Sequence, residues 1–151
     1  MVAVVEKLLL ASSTTVLSTG LNSLANNSLA ISSAFDNTIG QTGDGYTLCQ
    51  IELALAAPGG TLTANKSATG WFLQAPDGTN YEDGGTSTTP ARAPDFVIPL
   101  AASSSAQRVT IKDIPLPPGL SKVLLKNDGT GQTWNASGNT LILTPYTREL
   151  V

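Results

Sequence analysis

Residues 107–146 read QRVTIKDIPLPPGLSKVLLKNDGTGQTWNASGNTLILTPY and alternate between short apolar runs and turn signals. Val109 and Ile111 alternate with polar residues, which is the period-two pattern of a strand with one buried face. Three prolines between residues 115 and 118 exclude both a helix and a central strand there. Pro145 is expected to close the last strand of the stretch. The later apolar runs are Val123–Leu125 and Leu141–Leu143, and their turns are Asn127–Gly129 and Ser137–Asn139.

The preceding part of the chain repeats this pattern of short strands and turns, which is typical of an antiparallel β-sandwich. Pro99 places its strand at a sheet edge or at a bulge. Residues 81–93 are polar and are expected to form an exposed loop. The predicted strands are Ser28–Phe35, Tyr46–Ala57 with Cys49, Ile51, Leu53 and Leu55 on its apolar face, Gly70–Ala75, and Phe96–Leu100.

The segment around residues 14–25 leaves two interpretations open. It forms either a short helix over Leu17–Ala25 or a strand over Thr14–Leu17 followed by a loop. The whole chain then has about eight strands, which predicts one all-β domain with an antiparallel, jelly-roll-like β-sandwich and an N-terminal extension. We expect an N-terminal arm or edge strand over residues 1–20 and the sandwich over residues 21–151.

The composition restricts the classes of function. Charged residues make up only 13% of the chain and the net charge is −3, which argues against a nucleic-acid partner because such a partner requires a concentrated basic patch. No apolar run approaches the roughly 20 residues that span a bilayer, so no membrane partner is expected. The N-terminal apolar run is interrupted by Glu6 and Lys7 and does not fit a signal peptide.

Reactive groups are few. The chain has no histidine, which excludes a Ser-His-Asp triad and histidine-ligated zinc, and it has one cysteine, Cys49, in an apolar strand. Glu52 is the only acidic residue inside a predicted strand, where an exposed position is expected. A calcium site is one interpretation of the acidic loop from Asp77 to Asp83, and a solvated turn in which Asp77 accepts hydrogen bonds from nearby backbone is the other. We therefore predict no catalytic residues, no metal site, no cofactor and no enzymatic activity.

Two parts of the chain are candidates for contact with a partner protein. The apolar N-terminus is either an arm that adds a strand to a neighbour or the first strand of its own sandwich. Trp134 lies in a polar stretch and is expected to be exposed, whereas Trp71 lies in an apolar strand and is expected in the core. The predicted partner-binding residues are Val2, Val4, Val5, Leu8 and Trp134.

Four segments carry a resemblance to a known family. They are FLQAPDGTNYEDG (72–84), FVIPL (96–100), QRVTIKDIPLPPGLSKVLLKNDGTG (107–131) and SGNTLILTPY (137–146). In this combination the chain resembles the capsid decoration, or cement, proteins of tailed bacteriophages that have a jelly-roll fold. The resemblance extends over residues 21–146 and consists of strand and turn motifs.

The resemblance implies a structural role without chemistry. Proteins of this kind are enzymatically silent oligomers that bind the outside of an expanded capsid and hold neighbouring coat subunits together. The implied partners are the major capsid protein and further copies of the same chain, with a trimer expected. The implied location is the capsid exterior, after synthesis in the host cytoplasm.

Two alternatives remain at this stage. One is another virion component, such as a head-fibre base, a neck protein or a tail-associated protein. The other is a carbohydrate-binding β-sandwich module, in which Trp71, Tyr81 and Trp134 would form an aromatic platform for sugar.

Overall fold

Ten β-strands and one 3₁₀ helix, Thr19–Leu21, form the secondary structure of the described residues. The structure is a computed structural model that describes residues 6–37 and 45–150, with side chains described over 7–37 and 45–149. The candidate residues Val2, Val4 and Val5 lie outside this part of the chain. The strands are β1 Glu6–Leu10, β2 Thr14–Leu17, β3 Leu29–Ile31, β4 Phe35–Asn37, β5 Leu48–Leu55, β6 Ser67–Gln74, β7 Phe96–Pro99, β8 Gln107–Pro115, β9 Gly119–Asp128 and β10 Thr140–Leu150.

The strands form two antiparallel five-stranded sheets. The first sheet has the order β1-β10-β5-β8, and β2 pairs with β10 beyond the end of β1. The second has the order β3-β9-β6-β7, and β4 pairs with β9 beyond the end of β3. The pairs β1/β2 and β3/β4 each act as one interrupted strand, so each sheet has four strand positions. Along the chain these positions alternate between the sheets except at β6 and β7, which are consecutive and paired in the second sheet. This is the jelly-roll order, and it confirms the predicted fold class.

The core lies between the two sheets and follows the predicted alternation. Cys49, Ile51, Leu53 and Leu55 of β5 are buried while the residues between them are half-buried. The second sheet contributes Phe72 and the two β9 residues Val123 and Leu125 to the same apolar cluster. Burial of these side chains is the main source of stability, at roughly 1.5–3 kcal/mol for each large one.

The two sides of the sandwich differ. The edge strands β7 and β8 contact each other and close one side. Because β1 and β3 lie at the other ends of their sheet orders, they belong to the opposite side. Pro99 is on the edge strand β7, as predicted. The amide of Leu100 bonds to the carbonyl of Lys66, the residue just before β6, so by alternation Pro99 turns its missing donor toward the open edge.

Pro145 does not close the last strand, and this prediction is wrong. β10 continues from Thr140 to Leu150 and pairs with β5 on both sides of the proline. The carbonyl of Pro145 accepts the amide of Ala11 at 2.9 Å. In an antiparallel ladder the N–H and C=O of one residue point the same way, so the missing donor faces Ala11, between β1 and β2, and the pairing with β5 continues past the proline.

Three other sequence predictions are resolved by the fold. Residues 14–17 form strand β2, so the strand interpretation is confirmed over the helix. The strand predicted over Ser28–Phe35 is interrupted at residues 32–34, where the hydroxyl of Ser32 accepts the amide of Val123 at 2.8 Å. At the N-terminus, β1 and β2 pair with β10 of the same chain, so in the described residues the segment forms edge strands of its own first sheet. No helix within the described residues is long and apolar enough to cross a membrane.

Gly70 gives a stability prediction with a matched control. A Cβ atom at Gly70 would overlap the ring of Phe96, which is buried in the core. Gly70→Ala should therefore lower the free energy of unfolding by about 2 kcal/mol through overpacking. Gly59→Ala should leave it nearly unchanged, because no heavy atom lies within 4 Å of a Cβ built there. Urea unfolding measures both, and equal midpoints for the two variants would contradict the packing at Gly70.

Candidate functional site

The outer edge of β1 is the most distinctive surface in the described part of the chain. Leu8 and Leu10 point away from the core and are 51% and 53% exposed. The amide of Ala11 bonds to β10, so by alternation the backbone groups of Leu8 and Leu10 face the open edge. Within the described residues no strand pairs with this edge. An edge strand with free backbone groups and exposed leucines is a template for pairing with another chain.

A shallow hollow of about 350 Å³ begins at these leucines and crosses the outer face of the first sheet. Tyr146 of β10 lines this hollow, and its hydroxyl donates a hydrogen bond to the carboxylate of Asp113 on β8 at 2.6 Å. Arg148 also bonds to Asp113, at 2.6 Å, and these hydrogen bonds, with that from Tyr146 the larger cause, hold the pKa of Asp113 below its usual value. The hollow thus has an apolar end on β1 and a polar, internally bonded end on β8.

The loop between β6 and β7 is fixed by Arg92. The guanidinium bonds to Glu82 at 2.8 Å, to Asp95 at 2.7 Å and to the carbonyl of Phe72 at 2.8 Å. Asp95 in turn accepts the amide of Phe72 at 2.7 Å. β7 pairs with Ser67–Gly70 of β6, and within the described residues these side chains bond to the part of the β6 edge beyond that pairing.

This loop covers a second apolar cluster on the outer face of the second sheet. Trp71 and Leu73 are buried there together with Leu124. Trp71 donates its indole N–H to the carbonyl of Arg92 at 3.2 Å. The burial of Trp71 confirms the prediction, whereas the loop over residues 81–93 is only partly exposed because one side of it packs on the sheet. Three consecutive apolar residues, Trp71–Leu73, indicate a strand buried on both faces and could have predicted this cover.

Buried asparagines join the loops at one end of the sandwich. The side chain of Asn139 donates to the carbonyl of Asn135 at 2.7 Å and accepts the amide of Ala56 at 3.1 Å. The side chain of Asn127 donates to the carbonyls of Leu24 and Gln132 at 3.1 and 2.9 Å. These bonds tie together the loops that follow the 3₁₀ helix, β5 and β9.

Trp134 is buried under these loops, and the prediction that it is exposed is wrong. Its side chain is 2% exposed and belongs to the main core cluster. Its amide donates to the carbonyl of Leu24 at 3.1 Å, which holds the residue against the neighbouring loop. The next residue, Asn135, donates its side-chain amide to the carbonyl of Ala57 at 2.8 Å, and the indole of Trp134 packs in the core. Trp134 therefore presents no surface to a partner.

The three aromatic residues considered for a sugar platform do not come together on the surface. Trp71 and Trp134 are 3% and 2% exposed and belong to different apolar clusters. Tyr81 is half-buried, and the amine of Lys122 lies 4.1 Å from its ring centroid. Each ring thus has a packing role of its own.

The acidic candidates are held in local interactions. Asp77 accepts the amides of Thr79 and Asn80 at 2.9 and 2.7 Å, which confirms the predicted turn and lowers its pKa to about 2. Glu52 lies on the outer face of β5, half-buried, and pairs with Arg108 at 2.6 Å. Among the described residues, no three or more Cys, Asp or Glu side chains are grouped so that they could hold a metal ion.

The predicted partner-binding residues are thus divided. Leu8 lies on the open edge of β1, Trp134 lies in the core, and the three valines lie outside the described residues. Sequence reasoning missed Val97, which is 48% exposed on β7. The alternation of Phe96 to Pro99, together with the edge position that Pro99 predicts, would have identified Val97 as outward-facing.

In comparisons with known proteins, no family model and no curated protein matches this chain.

Arg92→Met should loosen the loop and destabilise the protein. The substitution removes the hydrogen bonds that Arg92 donates to two carboxylates and to the carbonyl of Phe72. Because the site is partly exposed, the free energy of unfolding should fall by about 1–2 kcal/mol. Limited proteolysis should then cut within residues 76–95. Arg108→Met is the control, because its ion pair with Glu52 lies on the exposed outer face of the first sheet. Equal resistance of the two variants to protease would contradict the role of Arg92.

The same interaction predicts a pH dependence. The hydrogen bond from Arg92 is the largest cause that lowers the pKa of Glu82 from 4.5 in the folded state. The resulting stabilisation is complete above the unfolded-state pKa of Glu82 and is lost as the pH falls through the lower folded-state value. The difference in unfolding free energy between the wild type and Arg92→Met should therefore shrink below about pH 4.5. A constant difference from pH 7 to pH 3, measured by urea unfolding, would count against this coupling.

Cys49 should be unreactive in the folded protein. Its side chain is fully buried, and burial raises the pKa of its thiol to about 12. A colorimetric thiol reagent should therefore give no signal at neutral pH until denaturant is added, and then one thiol per chain. Rapid labelling without denaturant would show that the core around β5 opens readily.

Proposed function

We propose that this chain is a structural protein of a virion, and that it binds the outside of a bacteriophage capsid and reinforces contacts between coat subunits. The proposal includes no enzymatic activity, no metal or other cofactor, and no contact with nucleic acid or membrane. Its partners are the major capsid protein and further copies of itself, with a trimer expected. The protein is made in the host cytoplasm and resides on the capsid exterior.

The observation that carries the proposal is the open edge of β1 with Leu8 and Leu10 exposed beside it. Free backbone groups bind any extended segment of suitable register, and exposed leucines add apolar area when the contact forms. One such contact is small, but repetition over a shell of identical subunits gives strong attachment through multivalency. A permanent place between other subunits is consistent with a chain that has only 13% charged residues.

The rigid body behind this edge also supports a reinforcing role. Asn127 and Asn139 join loops at one end of the sandwich, and Arg92 fixes the long loop over the second sheet. A strap between coat subunits must transmit force without unfolding, and side-chain hydrogen bonds across loops oppose local opening. The resemblance of residues 21–146 to decoration proteins agrees with this physical account.

Particles from a culture that produces this chain provide the test. They are banded on a density gradient, the chain is sought in the particle band by mass spectrometry, and its density is located on the shell by cryo-electron microscopy. The chain should be found at regular positions outside the coat. Its absence from purified particles would contradict the proposal, and density at a neck, tail or fibre would favour another virion role.

A double variant tests whether the β1 edge carries the attachment. Leu8→Lys with Leu10→Lys should reduce binding of the purified chain to particles that lack it by about tenfold or more, because each lysine would have to be desolvated in the contact. Thr86→Lys, an exposed change on the loop over the second sheet, is the control and should bind as the wild type does. Unfolding midpoints verify that both variants fold. Full binding by a folded double variant would place the attachment elsewhere.

A further inference from the structure

Large apolar side chains are exposed at two places in the described residues. Leu8 and Leu10 are 51% and 53% exposed on β1, and Val97 is 48% exposed on β7. The other large apolar side chains of these residues are at least partly buried. Both exposed groups lie on short edge strands, where an unpaired edge favours contact with another chain.

The two places lie on opposite sides of the molecule. β7 contacts β8 on the closed side of the sandwich, and β1 lies at the far end of the first sheet from β8. Three strand spacings separate β1 from β8, or about 14 Å. One flat partner surface would therefore not cover both places at once.

The surface beside Val97 is an open, shallow depression. It is a hollow of about 490 Å³ between β7 and the loop that precedes β6. Three alanines among its lining residues leave space, since their side chains are short. The lining residues are Ala64, Lys66, Val97, Leu100, Ala101 and Ala102, among others. On β1, Leu8 and Leu10 are exposed on the outer face of the first sheet, at its margin.

We propose that the β1 edge of one copy of this chain packs its leucines into the hollow beside Val97 of the next copy. This inference rests on the proposed structural role and names the partner of the β1 edge as a second copy, so that attachment to the coat depends on this edge through the multivalency of the assembled ring. Each copy then covers both of its exposed apolar groups. A head-to-tail contact of this kind is heterologous, so it forms a closed ring when its rotation closes, as in the expected trimer.

A two-fold contact between copies would cover only one of the two exposed apolar groups. Pairing β1 with β1 of a second copy would cover the leucines and leave Val97 and its hollow exposed. Pairing β7 with β7 would cover Val97 and leave Leu8 and Leu10 exposed, and Pro99 removes a backbone donor from the β7 edge. In the head-to-tail contact, the missing donor of Pro99 matters little because side-chain packing contributes most of the contact.

Mixed cysteine variants distinguish these arrangements. Leu8→Cys and Val97→Cys are made on separately tagged full-length chains, mixed, and treated with a short bismaleimide. The head-to-tail contact predicts a product that contains both tags, with little product from either variant alone. The native Cys49 does not compete, because it is fully buried and its thiol has a pKa of about 12. Thr86→Cys, exposed on the loop over the second sheet, replaces Val97→Cys in the control mixture.

Every other product pattern contradicts the proposal. Product from Leu8→Cys alone would indicate β1–β1 pairing, and product from Val97→Cys alone would indicate β7–β7 pairing. An absence of any product, or equal product with Thr86→Cys, would show that these surfaces do not meet specifically. A chain that carries both substitutions should give a ladder of products that ends at the ring size.

The outcome is separable from that of the proposed function. Cross-linking is measured in solution without particles, whereas the function is tested by the presence of the chain on particles. Mixed product together with particles that lack the chain would support the ring and reject the capsid role. If particles carry the chain but no mixed product forms, the capsid role is supported and the ring is rejected.

Discussion

The first sheet depends on the pairing of β10 with strands on both of its sides. One side pairs with β5 over seven residues, and the other pairs first with β2 and then with β1. This arrangement is possible because Pro145 turns its missing donor toward the gap between the two N-terminal strands. The pairing holds β1 at the margin of the sheet, and the register of β1 directs Leu8 and Leu10 to the outer face. The candidate interface is therefore a consequence of the fold.

The loop between β6 and β7 covers part of the outer face of the second sheet. Arg92 connects two carboxylates with the backbone of Phe72, and the loop buries Trp71 and Leu73. At one end of the sandwich, buried asparagines join loops that would otherwise expose the core. Among residues 7–37 and 45–149, the exposed large apolar side chains thus lie on two edge strands, β1 and β7. Such a distribution suits a chain that joins others side by side.

The sequence predicted those features that depend on local periodicity and not those that depend on which atoms meet. Cys49 and Ile51 followed the alternation of β5, and Pro99 identified an edge strand. Pro145 misled because its effect depends on which side of the strand lacks a partner, which only the sheet order determines. Trp134 misled because its side chain is buried although several of its sequence neighbours are exposed, and the bond from Asn135 to the loop after β5 is not visible in the sequence. The exposure of Val97 requires both the alternation within β7 and its place at the sheet edge.

Amide hydrogen exchange at the backbone of Leu8 and Leu10 tests most directly the claim that the β1 edge joins copies of this chain. These amides face the open edge, so they should exchange rapidly in dilute protein. Their exchange should slow as the protein concentration rises and copies associate, and protection should appear around Val97 over the same range. Concentration-independent exchange at β1, or protection of other surfaces while β1 stays unprotected in the oligomer, would contradict the account.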